Sequence, residues 1–252
     1  MNYKNTIILV TFLFISILGH TQSIKINKDI QLHLITDSIF VHVTWDHAPK
    51  YGRFPSNGML FIKNGKALMI DTPANDTQTQ QLCQYLKDSM QVEVTQLIVG
   101  HFHNDCLGGL NYLKNKDIPS LSNIRTKRLC KKHDLPLTSH FFNRKKKIQF
   151  QGEELECRYF GGGHTEDNIT VWFPKRQILF GGCLIKSGRS KSLGNIADAV
   201  VSDWDKTILK LQKHYLHIKT VIPGHGPYGN STLLNHTIQL VTQFKQKNKK
   251  QK

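Results

Sequence analysis

The stretch VTQLIVGHFHNDCLGGL, residues 94–110, runs an apolar segment straight into two histidines, an aspartate, a cysteine and a glycine pair. The apolar part reads as a buried strand, and the polar part opens where that strand ends. His101 and His103 are two residues apart, so in extended chain their rings project to the same side. Asp105 follows two further on, and a turn into a helix swings it toward the same space. Gly108 and Gly109 let the helix backbone come close to whatever that space contains. A polar cluster of this kind at a strand end is a candidate metal site on a rigid scaffold.

Three later loops repeat the pattern. GGGHTEDN carries His164, FGGCLIKS carries Cys183 and PGHGPYG carries His225, each flanked by glycine and each following an apolar run. Two sites can be composed from these residues. His101, His103 and His164 supply three neutral imidazoles with one position open; Asp105, Cys183 and His225 supply a mixed oxygen, sulfur and nitrogen set. Zinc accepts all three donor types, and three protein ligands with an open position is the pattern of a catalytic zinc. Two such ions side by side activate a water at neutral pH. One histidine alone is usually an ordinary core or surface residue; four with an Asp and a Cys, all at glycine-flanked strand ends, are not.

The rest of the chain supplies the scaffold. QLHLITDSIFVHVTW alternates as two strands around Asp37-Ser38, and GMLFIKNGKALMID reads as a hairpin turning at Asn64-Gly65. Residues 75–90 fit a helix with Leu82, Tyr85 and Leu86 on one face, and Gly109 to Leu113 a further helix. LECRYF, NITVWF, QILFGG and TVIPGHG read as strands. SDWDKTILKLQKHYL is an amphipathic helix with Ser202 as its expected N-cap, and a last helix runs from Ser231 to about Phe244. Strands in runs, with helices after each run, predict an α/β (α+β) architecture of two sheets face to face with helices outside.

Residues 1–21 read as a secretory signal peptide, with Lys4 before an apolar run from Thr6 to Leu18, too short to span a bilayer comfortably. Residues 22–252 then form a single domain with a basic, frayed tail at about 245–252. Export makes the location periplasmic and the compartment oxidising. The five cysteines (Cys83, Cys106, Cys130, Cys157, Cys183) are nevertheless odd in number and too scattered for a disulfide scaffold. The formal charge is +16, clustered in Arg125 to Lys132, in Arg144 to Lys147 and in the tail. No aromatic-interleaved nucleic-acid motif accompanies it, so no nucleic-acid partner is expected. Such runs are ordinarily solvated faces and a frayed end; weak attraction to anionic envelope surfaces is the alternative for this charge, and the protein is expected to be a monomer.

At the level of HFHNDCLGG, GGGHTEDN, FGGCLIKS and SLGNIADA (Ser192 to Ala199), the chain resembles the class B metallo-β-lactamases. Within these it is similar to the dizinc subclass with a three-His site and an Asp-Cys-His site. The resemblance runs from about Asp29 to Phe244. The first motif is shared across a wide hydrolase superfamily; Cys183, where most of that superfamily has Asp, narrows it. The resemblance implies an αββα sandwich with the metals at one edge. It also implies two zinc ions as cofactors and β-lactam antibiotics (penicillins, cephalosporins, carbapenems) as small-molecule substrates. The implied reaction opens the β-lactam amide with a hydroxide shared by the metals, without an acyl-enzyme, and confers antibiotic resistance.

By the same resemblance Lys186 would hold the substrate carboxylate and Asn195 would polarise the lactam carbonyl. Asp105, with its metal, would act at the reacting bond. Cys183 fills the thiolate position, so Cys106 is expected beside the second metal and not bound to it. Trp45 to Gly58 would be a flap over the substrate, with Tyr51 and Phe54 as apolar contacts and Arg53 an unexpected charge. Asp71 would orient a ligand histidine or simply make a turn. The alternatives are another metallo-hydrolase of the superfamily (thioesterase, lactonase or phosphodiesterase) and a secreted zinc-binding protein without catalysis. Glyoxalase- and RNase-type relatives carry a second histidine where Cys106 stands, which argues against those activities.

Overall fold

A computed structural model describes residues 23–49 and 52–249; the expected signal peptide and Tyr51 lie outside them. The chain opens as a meander: β1 (Ser23–Lys25), β2 (Ile30–Thr36), β3 (Ile39–Ala48), β4 (Gly52–Lys63) and β5 (Lys66–Ile70), all antiparallel. Asn64 and Gly65 turn the β4–β5 hairpin, both with positive φ (53° and 68°), as a two-residue hairpin turn requires. Helix α1 (Asp76–Met90) follows, capped by Asn75, whose side chain accepts from the Gln78 amide. Then come β6 (Glu93–Ile98), α2 (Asn104–Leu107), α3 (Leu110–Lys114), β7 (Ser120–Asn123), α4 (Ile124–Lys132) and β8 (His140–Phe142). Strands β6, β7 and β8 join in parallel and complete an eight-stranded sheet ordered β1 to β8.

The second sheet has five strands in the order β13-β12-β11-β10-β9: β9 (Lys145–Phe150), β10 (Glu153–Arg158), β11 (Thr170–Phe173), β12 (Ile178–Gly182) and β13 (Thr220–Pro223). Between β12 and β13 lies α5 (Val201–His214), and α6 (Thr232–Lys249) closes the chain. The expected strand runs are all present, with the layers helix, sheet, sheet, helix.

Alternation along the strands explains why two sheets stack. In β5, Leu68 and Ile70 enter the core between the sheets, while Ala67 and Met69 face the layer that carries α1. In β12, Ile178 and Phe180 enter the same central core and Leu179 faces α5 and α6. Phe61 packs edge-on against Phe150 and Phe173 there, with ring centres 5.9 and 5.5 Å apart. The outer layers are sealed by Leu82, Leu86 and Leu110 on one side and by Trp204, Ile208 and Leu211 on the other. Each such side chain contributes about 1.5–3 kcal/mol of transfer free energy.

Two helix boundaries differ from expectation. Helix α5 begins at Val201, and its cap position Val200 makes no side-chain cap bond, so Ser202 lies inside the first turn. The Val200 amide donates to the Gly163 carbonyl at 2.9 Å, and that tertiary contact sets the start. Helix α6 continues to Lys249, five residues beyond Phe244. Lys245 donates to both Asp205 carboxylate oxygens at 2.8 Å and to the Ser202 carbonyl at 3.0 Å, so the tail expected to fray is helical through Lys249. No described helix is long and apolar enough to cross a membrane.

Candidate metal centre

The four ligand loops follow the C-terminal ends of β6, β10, β12 and β13, and so meet at one end of the sandwich. His101 Nε2 lies 3.0 Å from His103 Nδ1, which lies 3.2 Å from His164 Nε2. The other nitrogen of His103 donates to the Asp198 carboxylate at 3.0 Å, so the neutral ring presents a lone pair from Nδ1. One lone pair cannot satisfy two facing nitrogens, and convergence of three imidazoles on a point calls for a cation. Tetrahedral zinc places its nitrogen donors about 3.3 Å apart, close to these separations. All three donors lie within 4.8 Å of one another.

The second triad is as tight. Cys183 Sγ is 3.4 Å from Asp105 Oδ2 and 3.4 Å from His225 Nε2, and the last two atoms are 3.2 Å apart. His225 Nδ1 donates to the Pro55 carbonyl at 2.8 Å, which turns Nε2 into the pocket. His101 and Asp105 (Nε2 to Oδ1, 3.8 Å) connect the triads, and the donors of His101, Asp105 and Cys183 also fall within 4.8 Å. The two pockets therefore adjoin.

Burial and charge order the proton affinities. Burial pushes the His101 pKa down to about 3 and that of His164 well below the usual imidazole value, which keeps both rings neutral donors. Burial alone would raise Asp105, but the hydrogen bond from His225 and the nearby imidazoles hold it well below the carboxylate range. A hydrogen bond from Cys106 draws the Cys183 thiol down to about 6. Burial opposes charge on His225, yet the Cys183 and Asp105 anions raise it well above the ordinary value. A pocket with this demand for positive charge suits a divalent ion.

Around the donors, several residues take places the sequence did not assign. Asp198 holds His103. Asn57 on β4 donates to the Pro223 and Gly226 carbonyls at 2.8 and 2.7 Å and fixes the His225 loop across the two sheets. A positive φ of 53° at Gly182 bends the chain as it leaves β12 into Cys183. A Cβ at Gly224 would sit 2.3 Å from Cys183 Sγ, so the loops close only with glycine there. Only the Asp in SLGNIADA, an acid in a glycine-containing loop, carried a usable sequence signal; the partner of Asn57 lies more than 160 residues away.

Lys186 is buried, its ammonium 5.2 Å from the centre of the Trp204 ring, and it forms no salt bridge among the described residues. Asn195 is exposed and its side chain accepts from the Ala197 amide at 3.2 Å; it does not touch the donors. The neighbouring Gly194 approaches Lys186, a Cβ there standing 4.0 Å from Nζ.

Asp71 makes no direct bond to a ligand histidine: its carboxylate accepts from the Gly100 amide at 2.5 Å and bonds Cys106, whose Sγ contacts His101, and its carbonyl lies 3.0 Å from His42 Nε2. Phe54 reaches the centre, 6.1 Å from the His225 ring. Arg53 turns the other way, bonding Asp29 at 3.0 Å and the Lys28 carbonyl at 2.7 Å with its guanidinium 5.0 Å from Trp45. All five cysteines are free.

Comparison with known proteins agrees with this geometry. The family described as "Metallo-beta-lactamase superfamily" matches residues 51–225. A "Metallo-beta-lactamase type 2" of Bacteroides fragilis is 41% identical over 241 residues, 96% of this chain and 97% of that protein. Another of the same description, from Bacillus sp. (strain 170), is 34% identical over 94% of this chain and 99% of its own. Among solved structures, VMB-1 superposes with a TM-score of 0.82 at 32% identity, covering 86% of this chain and 98% of that one. The metallo-beta-lactamase from Pontibacter korlensis gives 0.81 at 31%, covering 84% and 99%. The chain belongs to the metallo-beta-lactamase superfamily, among the type 2 metallo-beta-lactamases.

Proposed function

We propose that this chain hydrolyses the amide bond of β-lactams with two zinc ions, acting as a monomer in the periplasm after removal of residues 1–21. The observation that carries the reading is the pair of adjoining triads, three imidazoles and Asp-Cys-His, each at the donor spacing of a tetrahedral ion. Zinc held there supplies an acidified water and charge neutralisation at the reacting carbonyl and the departing nitrogen.

The chain's own residues do the rest. Lys186, buried without an anionic partner, is a point charge for the carboxylate that β-lactams carry. Asn195, on the exposed loop beside Lys186, accepts from Ala197 through Oδ1, which leaves its side-chain NH2 to donate to the lactam carbonyl. Phe54 offers an apolar wall on the flap side. Asp105 carries its negative charge through the reaction and with Cys183 keeps the second pocket anionic.

The test is turnover of a penicillin, a cephalosporin and a carbapenem by the zinc-loaded chain, repeated after chelation. Hydrolysis lost on chelation and restored by zinc is the expected result. No turnover of any of the three with both pockets filled would sink the reading, and cleavage of a thioester or lactone instead would assign the chain to another branch of the superfamily.

A further inference from the structure

Residues 124–147 hold nine basic residues and one acid, Asp134, so this tenth of the chain carries +8 of the formal +16. The fold gathers them. Strand β8 ends the eight-stranded sheet and β9 ends the five-stranded one, and the chain passes from one to the other through Asn143 and Arg144. Helix α4 packs on the same border: Lys127 lies over the Phe141 ring of β8 at 4.5 Å, and Arg125 over Tyr159 at 4.1 Å while bonding Asn143. Thr126 and Cys130 face inward, which leaves Arg128, Lys131 and Lys132 on the outer face of α4. Arg144, Lys145, Lys146 and Lys147 are exposed in turn.

Few of these charges are paired, although Glu166 and Asp198 line the same cleft as Arg128 and Lys132. Among the described residues only Lys147 of the nine makes a salt bridge, with Glu154 at 2.9 Å. The other acids of β10 are engaged elsewhere, Glu156 with Arg158 and Glu153 with Arg176. Lysines on an edge strand discourage pairing with other chains, which accounts for β9. It does not account for α4, which has no open edge and holds five basic residues and no acid.

We propose that this border, formed by α4 and β9, is a docking surface for an anionic phospholipid bilayer. A run of largely unpaired, exposed cations along one border matches a sheet of anionic headgroups, and each Lys or Arg brought to such a surface strengthens binding roughly fivefold. Single-stranded nucleic acid is disfavoured because its bases need open aromatic faces. The rings on this border, Phe141 and Tyr159, are covered by Lys127 and Arg125. The tail lysines belong to another region, at the end of α6 against α5. The inference stands whatever reaction the metal centre performs.

The test uses the zinc-loaded chain from Gln22 onward and phosphatidylcholine vesicles with and without phosphatidylglycerol, at low and physiological salt. Co-sedimentation with the phosphatidylglycerol vesicles alone, weakening as salt rises, is expected. Lys131→Glu/Lys145→Glu/Lys146→Glu should weaken it roughly 100-fold or more, while leaving hydrolysis and the melting temperature unchanged. The three corresponding Lys→Gln changes should give an intermediate loss. Lys247→Gln/Lys249→Gln should leave binding intact. Wild-type affinity in the triple Glu variant overturns the proposal, as does loss of binding from the tail variant alone. Tighter binding to a duplex oligonucleotide than to the vesicles, abolished by the same triple variant, reassigns the border to nucleic acid.

Discussion

Cys106 Sγ lies 3.0 Å from His101 Nδ1, on the far side of the ring from the nitrogen that faces His103. The thiol therefore contacts His101 from the side away from that nitrogen, and it also bonds Cys183 of the second triad. Burial keeps it protonated, with its pKa raised well above the usual thiol value. With Nε2 serving a metal, Nδ1–H donates to the sulfur and the tautomer is fixed. Cys106→Ser preserves an acceptor there and should retain two zincs per chain by native mass spectrometry. Cys106→Ala should lower affinity by about tenfold. A serine variant that binds one zinc would make Cys106 a ligand.

The Asp198 carboxylate performs the same service for His103, accepting from Nε2 at 3.0 Å and leaving Nδ1 for the site. Asp198→Asn leaves a weaker acceptor and should reduce zinc affinity about tenfold, since the partners of metal-bound histidines typically tune affinity by 10–100-fold. Competition with a chromophoric chelator measures it. Unchanged affinity, with only KM altered, would show that Asp198 serves the substrate and not His103.

How much of this was legible follows from how local each signal is. The six donors were readable because glycine-flanked polar residues at strand ends are a short-range pattern, and the apolar alternation of β2 to β5 is equally local. The region from Ser120 to Phe150 carries no such local pattern. Strand β9 begins with three lysines, and β8 has three residues, so neither shows a periodicity a window could detect. Their strand state is imposed by pairing with β7 and β10. The direction of Arg53 was equally hidden, because its partner Asp29 belongs to the segment before β2.

Arg53, one pair from the turn of the β3–β4 hairpin expected to act as a flap, ties it back to Asp29, the Lys28 carbonyl and the Trp45 ring. Exposed pairs of this kind are worth up to about 1 kcal/mol. Arg53→Ala should therefore raise KM by roughly 2–5-fold across β-lactams with kcat little changed, through a looser flap. A penalty confined to substrates with an additional negative charge would show that the guanidinium meets substrate directly.

Asp167 follows the His164 loop with its carboxylate buried and without a hydrogen-bond partner. Burial raises its pKa to about 6, although Thr165 and Thr126 stand near and oppose the rise. An acid with a raised folded pKa binds more protons when folded, so stability declines as pH rises from the unfolded value, about 4, to about 6. Asp167→Asn removes that dependence. The variant should gain up to about 3 kcal/mol over the parent at pH 7 and little below pH 4. Denaturant titrations at both pH values decide; an equal difference at the two would mean the carboxylate does not titrate in this window.

The first glycine of the pair after the HFHND motif is needed for contact and not for conformation. Gly108 has ordinary right-handed helical dihedrals, φ −62° and ψ −22°. A Cβ there would stand 2.1 Å from the Ala74 carbonyl oxygen and 2.4 Å from its carbon, both backbone atoms at the entry to α1. Neither can rotate away, so α2 would have to lift, and with it Asp105. Gly108→Ala should cost about 3 kcal/mol or more, at the upper end of overpacking penalties. It should also lower the affinity of the Asp-Cys-His site more than that of the three-His site. Equal loss at both pockets, measured by zinc titration of a folded variant, would mean that α2 does not set the position of Asp105.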